Sequence, residues 1–254
     1  MTTRIYHYTS LESLAYILSS GRIRFTRLDQ FDDVLEAQQI GQFDFGKMLF
    51  ASSWIASATE DYPQWSMYGD AMRGVRISFP GAPFDWHGFV PPPGMHALDT
   101  FVPMPISEAI SDTFMVNPFL SKNDFCRAVT YVDDVAATWK ARTWTDGNNL
   151  VSDDPRTLAC FKDRRWEFQN EYRFVLHIHG IDPRATSATG PIGPSFTHFD
   201  LPVSQMAFQA LEVTMGPLRS GADRLIAESL LEKYAPKATL SESSLLGAIR
   251  PRSK

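Results

Sequence analysis

The stretch Trp166 to Gly180, WEFQNEYRFVLHIHG, constrains this chain more than any other. From Phe168 onward it alternates with the period of two that a β-strand requires, because successive side chains point to opposite faces of a sheet. Phe168, Tyr172, Phe174, Leu176 and Ile178 fall with Asn170 on one mostly apolar face. Gln169, Glu171, Arg173, Val175, His177 and His179 fall on the other. A strand with so long an apolar face belongs inside a fold, so the Gln-x-Glu-x-Arg row either meets water or lines a cleft. As an Arg–Glu ladder on an open sheet it is worth little energetically. As a cleft wall it presents a carboxylate between two hydrogen-bonding neighbours.

Shorter signals surround this strand. RIYHYTS alternates and ends in Thr9-Ser10, either of which can cap a helix over LESLAYILSS that stops at Gly21. RIRFTRL, KMLFASSWIAS, GVRISF, CRAVTYVDD and ALEVTMGP read as strands. EDYPQWSMYGDAM predicts a short helix with Pro63 in its first turn, and ADRLIAESLLEKYA a last helix before a frayed SESS…RPRSK tail. DQFDDVLEAQQ, ISEAISDTFM and VSDDPRTLACFKDRR offer further helix starts. Short strands with irregularly placed helices predict an α+β fold. We read one domain over 1–254, with long Pro/Gly-rich loops near 80–105 and 181–199.

Net charge of −5 and a pI near 5.7 give no global field toward nucleic acid or anionic membrane, while leaving local basic patches open. Cys126 and Cys160 are too few for a disulfide framework, and the first residues lack a signal-peptide pattern, so a reducing cytoplasm is expected. No stretch approaches the roughly 18 apolar residues of a membrane helix.

Several residues can carry chemistry. His7, at the end of the first strand and just before a helix, can position a polar ligand or simply bond a neighbouring carbonyl. Trp54, Tyr62, Trp65 and Tyr68 can stack a planar ring or pack a core. Asp32, Asp33 and Glu36 read as a solvated helix start, and His177 with His179 as two partly exposed imidazoles lacking a third metal ligand. Neither cysteine sits in a recognisable nucleophile context, and no P-loop or dinucleotide fingerprint is present.

Three segments, YHYTSLESLAYILSSGRIRFTRLDQFDD, SSWIASATEDYPQWSMYGDAMRGVRISF and CFKDRRWEFQNEYRFVL, with the late LEVTMGP, resemble the bacterial domain-of-unknown-function family 2971. Its pattern runs Y-H-Y, then W-x-x-Y before a Gly-Val strand, then W-x-x-E-x-E-Y-R. The same order is similar to that of the ADP-ribosyltransferase superfamily. That resemblance implies split β-sheets with surrounding helices and NAD as substrate. It implies catalytic roles for Glu171, Gln169 and His7, and a cofactor site built from His7, Tyr8, Thr9, Ser53, Trp54, Trp65 and Tyr68. Two positions depart from the superfamily: Tyr8 follows the His where many members have Gly, and Ser53-Trp54 replaces the usual Tyr.

The implied reaction fits the residue types. Nicotinamide in NAD is already a cationic leaving group, so one carboxylate can stabilise the oxocarbenium-like ribose without a strong general acid. The implied partners are NAD, a protein or nucleic-acid acceptor oriented by Gln169, and an inhibitor protein if the chain is a bacterial toxin or defence effector. FKDRRW sits where the superfamily carries its target-recognition loop. The rival expectation is a nucleotide- or partner-binding module of the same fold that does not turn over.

Overall fold

Ser10 and Gly21 set the limits of the first helix. The Ser10 hydroxyl accepts from the Ser13 amide, and Gly21 adopts φ 65°, the left-handed geometry that costs glycine nothing. The computed structural model describes residues 4–41, 43–88, 101–117, 125–146, 149–152, 154–181 and 192–250. In chain order its main elements are β1 (Arg4–Thr9), α1 (Leu11–Ser20), β2 (Arg22–Arg27), β3 (Leu49–Ile55), α2 (Tyr62–Met67), β4 (Val75–Pro80), β5 (Phe114–Val116) and β6 (Cys126–Ala128). There follow β7 (Thr130–Val132), α3 (Val135–Ala141), β8 (Phe161–Asp163), β9 (Glu171–Gly180), β10 (His198–Pro202), β11 (Glu212–Met215), α4 (Gly221–Tyr234) and β12 (Thr239–Glu242). Helices and mixed parallel and antiparallel pairing make this an α+β protein.

The chain divides into two units. The first comprises residues 1–23, 54–84 and 202–254. In it β1 pairs antiparallel with β4, Tyr8 facing Arg76, and β4 pairs antiparallel with β11, Arg76 facing Thr214. β12 adds to β11 in parallel, and the end of β3 joins β1 with Ile55 opposite Tyr6. Register and alternation sort the side chains. Ile5, His7, Thr9, Ile77, Phe79 and Val213 share one face; Tyr6, Tyr8, Arg76, Ser78 and Thr214 share the other.

The second unit comprises residues 24–53 and 85–201. β9 is its central strand, with β6 and β3 beside it and β5 on its far end. β2 pairs with β3 and carries β10 on its other edge. Leu28, Phe45, Leu49, Val135, Trp139, Leu158 and Val175 form a core cluster around one face of β9.

Three expectations are corrected. DQFDDVLEAQQ forms 3₁₀ turns at Leu28–Gln30 and Val34–Glu36 instead of an α-helix. ISEAISDTFM and VSDDPRTLACFKDRR do start helices as expected, four residues long at Ile106–Ala109 and Pro155–Leu158, before turning extended. β9 begins at Glu171 rather than Phe168, because Arg164–Gln169 is a 3₁₀ turn ended by Asn170 at φ 44°. The SESS segment is not frayed: Ser241 and Glu242 close β12, and Ser243 donates to Glu60. Much of the two Pro/Gly-rich loops (89–100 and 182–191) lies outside the described residues.

The Gly-Val start of β4 has a steric reason. A Cβ on Gly74 would sit 2.2 Å from the Thr9 carbonyl oxygen, so only a hydrogen fits where β4 passes the end of β1. Gly74→Ala is therefore expected to destabilise the fold by roughly 1–3 kcal/mol, the usual cost of overpacking. A urea-unfolding midpoint equal to that of the parent would show that the strand ends can part without cost.

Candidate functional site

Glu171 opens β9 with its backbone amide donating to the Tyr131 hydroxyl at 2.9 Å. The row it heads is buried, which answers the question the alternation raised: Glu171 is 6 % exposed, Gln169 3 % and Arg173 0 %. Burying charge is costly unless it is paired, and here the pairing is dense. Arg173 donates through Nε to Glu171 Oε1 at 2.5 Å and through Nη2 to Oε2 at 3.0 Å. Its Nη1 serves Glu36 Oε2 and the Ala159 carbonyl. Lys162 Nζ donates to Glu171 Oε2 at 3.1 Å and to Gln169 Oε1 at 2.7 Å. It also lies 3.2 Å from Glu36 Oε1, an ionic contact without hydrogen-bond geometry. The Ser53 hydroxyl completes the shell of Glu171.

Two acids and two bases thus close a neutral buried cluster. Burial alone would raise the Glu171 pKa; Arg173 and then Lys162 outweigh it and hold the carboxyl at about 2. Burial opposes the charge of Arg173, but Glu171 and Glu36 drive its pKa well above the ordinary value. The Arg173 guanidinium also lies 5.0 Å over the Phe31 ring, and Lys162 Nζ 5.1 Å over Trp166.

Of the residues expected at the site, the second unit therefore gathers Ser53, Gln169 and Glu171. Glu36 and Lys162 were missed as members of that group. Glu36, expected on a solvated helix start, is 1 % exposed. Lys162, expected in a recognition loop, lies in buried β8, although Arg164 and Arg165 next to it are exposed.

His7, Tyr8, Thr9, Trp54, Trp65 and Tyr68 belong to the first unit and fall into two groups there. The half-buried His7 ring lies 5.1 Å from Trp54, which in turn lies 6.0 Å from Phe79. Thr9 is buried on this same face. Tyr8, on the opposite face, meets fully buried Trp65 edge-on at 4.8 Å, and Tyr6 and Tyr68 pack against that pair. Trp65 Nε1 donates to Glu60 Oε2 at 2.8 Å, and Glu60 also accepts from the Ser244 amide at 2.7 Å. Tyr62, exposed, stands outside this cluster.

The remaining candidates resolve differently. His177 is buried, not partly exposed as expected, and sits 4.1 Å from His179. Among the described residues no group of three His, Cys, Asp or Glu side chains is arranged to hold a metal ion. Burial pushes the Cys126 thiol to about 12 and Cys160 to about 11, so neither is poised as a thiolate. Asp33 caps the turn at Leu35. No helix among the described residues is long and apolar enough to cross a membrane. Comparison with protein-family models, with curated proteins and with solved structures finds no match.

Proposed function

We propose that the chain is a module of ADP-ribosyltransferase type that binds NAD or a related nucleotide without cleaving it. One observation carries the non-catalytic half of this reading: the Glu171 carboxylate is already filled. An ionised carboxylate offers about four lone-pair sites, and Arg173 (twice), Lys162 and Ser53 occupy them. A ribose hydroxyl would have to displace a charge-assisted bond to reach it, exchanging a stronger contact for a weaker one. The binding half rests on His7 beside Trp54 at the end of β1, an imidazole donor against a large ring.

A second reading keeps turnover: NAD cleavage with transfer of ADP-ribose to a protein or nucleic acid. It is favoured by the ionised state of Glu171 and by Ser53 and Gln169 meeting the same cluster. Calorimetry with NAD followed by a nicotinamide-release assay separates the two. The expected result is measurable heat of binding with release at the buffer rate, in the parent and in Glu171→Gln alike. Release by the parent that vanishes in Glu171→Gln would establish NAD cleavage through Glu171, with uptake of labelled ADP-ribose by an acceptor then marking transfer, and an absence of binding would remove both readings.

A further inference from the structure

The described residues include five buried cations: Arg27, Arg76, Arg156, Lys162 and Arg173. Four have a carboxylate in ionic contact: Arg27 with Asp29 at 2.7 Å, Arg156 with Asp154 at 2.9 Å, and Lys162 and Arg173 with Glu171 at 3.1 and 2.5 Å. Arg76 is the exception. At 8 % exposure it lies with no acidic group of the described residues in ion-pair contact, and its Nε has no hydrogen-bond partner. Its Nη1 donates to the Ala58 carbonyl at 3.0 Å, and the guanidinium lies 4.7 Å over the Tyr6 ring and 5.8 Å from that of Tyr8. Nearby acids are engaged elsewhere. Glu60 is held by Trp65, Ser243 and Ser244, and Glu212 pairs with Arg4. The Asp61 side chain caps α2.

A buried guanidinium held by aromatic faces, one carbonyl and the Tyr8 hydroxyl, all of them neutral, carries a charge that no carboxylate of the described residues pairs. We infer that Arg76 is the recognition element of an anion site in the first unit, taking an oxyanion (phosphate or carboxylate) that can present two oxygens to the guanidinium fork. The surroundings suit that role. Ala58 is exposed in the connection between β3 and α2, so the charged end of this buried stem lies close to the surface. Thr214 stands opposite Arg76 on β11, and its hydroxyl is 3.3 Å from that of exposed Ser241 on β12, adding neutral donors on the same face. Tyr6 is half-buried, a ring available to flank a planar group attached to the anion. Arginine suits the task better than lysine, because its planar fork bonds an oxyanion through two parallel N–H groups.

This site is independent of the nucleotide reading above. His7 lies on the other face of β1, so binding at Arg76 can hold where NAD binding fails, and the reverse. The test titrates the intact chain with inorganic pyrophosphate, inorganic phosphate and succinate, followed by calorimetry and by the Arg76 Nε–H resonance, assigned by its absence in Arg76→Lys. A resonance shift that saturates with one equivalent of bound anion is expected. Response to the phosphates alone would identify a phosphoryl site, and response to succinate alone a carboxylate site. Arg76→Met is expected to lower the affinity at least ten-fold while keeping the fold, since an unbalanced buried charge has been removed. An Arg76 resonance unmoved by all three anions at millimolar concentration would overturn the inference. So would equal affinity in folded Arg76→Met. If that variant does not fold, the resonance in the parent decides the matter alone.

Discussion

Arg173→Met is expected to cost about 3–5 kcal/mol of stability at neutral pH, the range seen when one partner of a buried ion pair is removed. That is a large part of what holds a domain together. The reason lies in what remains. Without the guanidinium, Glu36 and Glu171 stay buried with Lys162 as their one shared cation, and the Ala159 carbonyl loses its donor. Urea unfolding followed by tryptophan fluorescence measures the loss. Arg164→Met removes a pair on the surface, with Asp133, and should show none.

The pH dependence carries a sign as well. In the parent, Glu171 titrates at about 2, below its ordinary 4.5. A depressed carboxyl contributes stability that is complete above 4.5 and is lost as pH falls through about 2. In Arg173→Met two like charges share one counter-ion, so a proton becomes the missing partner. His177 drains stability from parent and variant alike below pH 6.5, so the gap between the two should narrow from pH 7 to pH 5. A gap that widens over that interval, or a variant that unfolds at the parental urea concentration, would show that the cluster is not what ties β9 to the turn at Glu36.

The same cluster shows where sequence reading succeeds and where it stops. β1, α1 and β4 were legible because their signals are local: alternation, a Ser10 cap, a glycine at each critical turn. α2 was legible from Asp61 and Pro63, a cap followed by a proline that needs no amide partner. Glu171 and Arg173 stood out because they share a face two residues apart, a spacing visible in any strand. Their partner Glu36 lies 137 positions before Arg173, and no periodicity links the two. Gln169 was assigned to the strand because alternation is blind to backbone sign. Asn170 tolerates the left-handed region, and one such residue turns a continuous pattern into a turn plus a strand. Arg76 was hidden for another reason. GVRISF reads as an ordinary strand, and only a census of buried cations with their partners sets this arginine apart.

His177→Phe is expected to flatten the acid side of the stability profile. The parent ring is buried on β9 with neither nitrogen hydrogen-bonded to the described residues. Burial, and then His179, push its pKa from 6.5 to about 3. Arg156 acts in the same direction and Asp154 against it, but those two are tied to each other and leave burial dominant. The folded chain holds the ring neutral while the unfolded chain protonates it near 6.5, so the unfolded state binds more protons throughout the interval between. Stability from this group is complete above 6.5 and drains as pH falls toward 3, by about 2 kcal/mol at pH 5 and about 5 kcal/mol at the lower end. Between 6.5 and 4.5 His179, whose pKa burial also lowers, adds to the same slope, while Glu171 begins to contribute only below; the difference between parent and variant is the part that belongs to His177. At pH 7 the phenyl ring should also stabilise the chain, by about 1–3 kcal/mol, since it removes two buried nitrogens without hydrogen-bond partners among the described residues. His177→Leu guards against a phenyl ring too large for the space. If both variants follow the parental slope between pH 6.5 and 4.5, the imidazole is reaching a proton acceptor or water in solution, and the acid sensitivity belongs to the carboxylates.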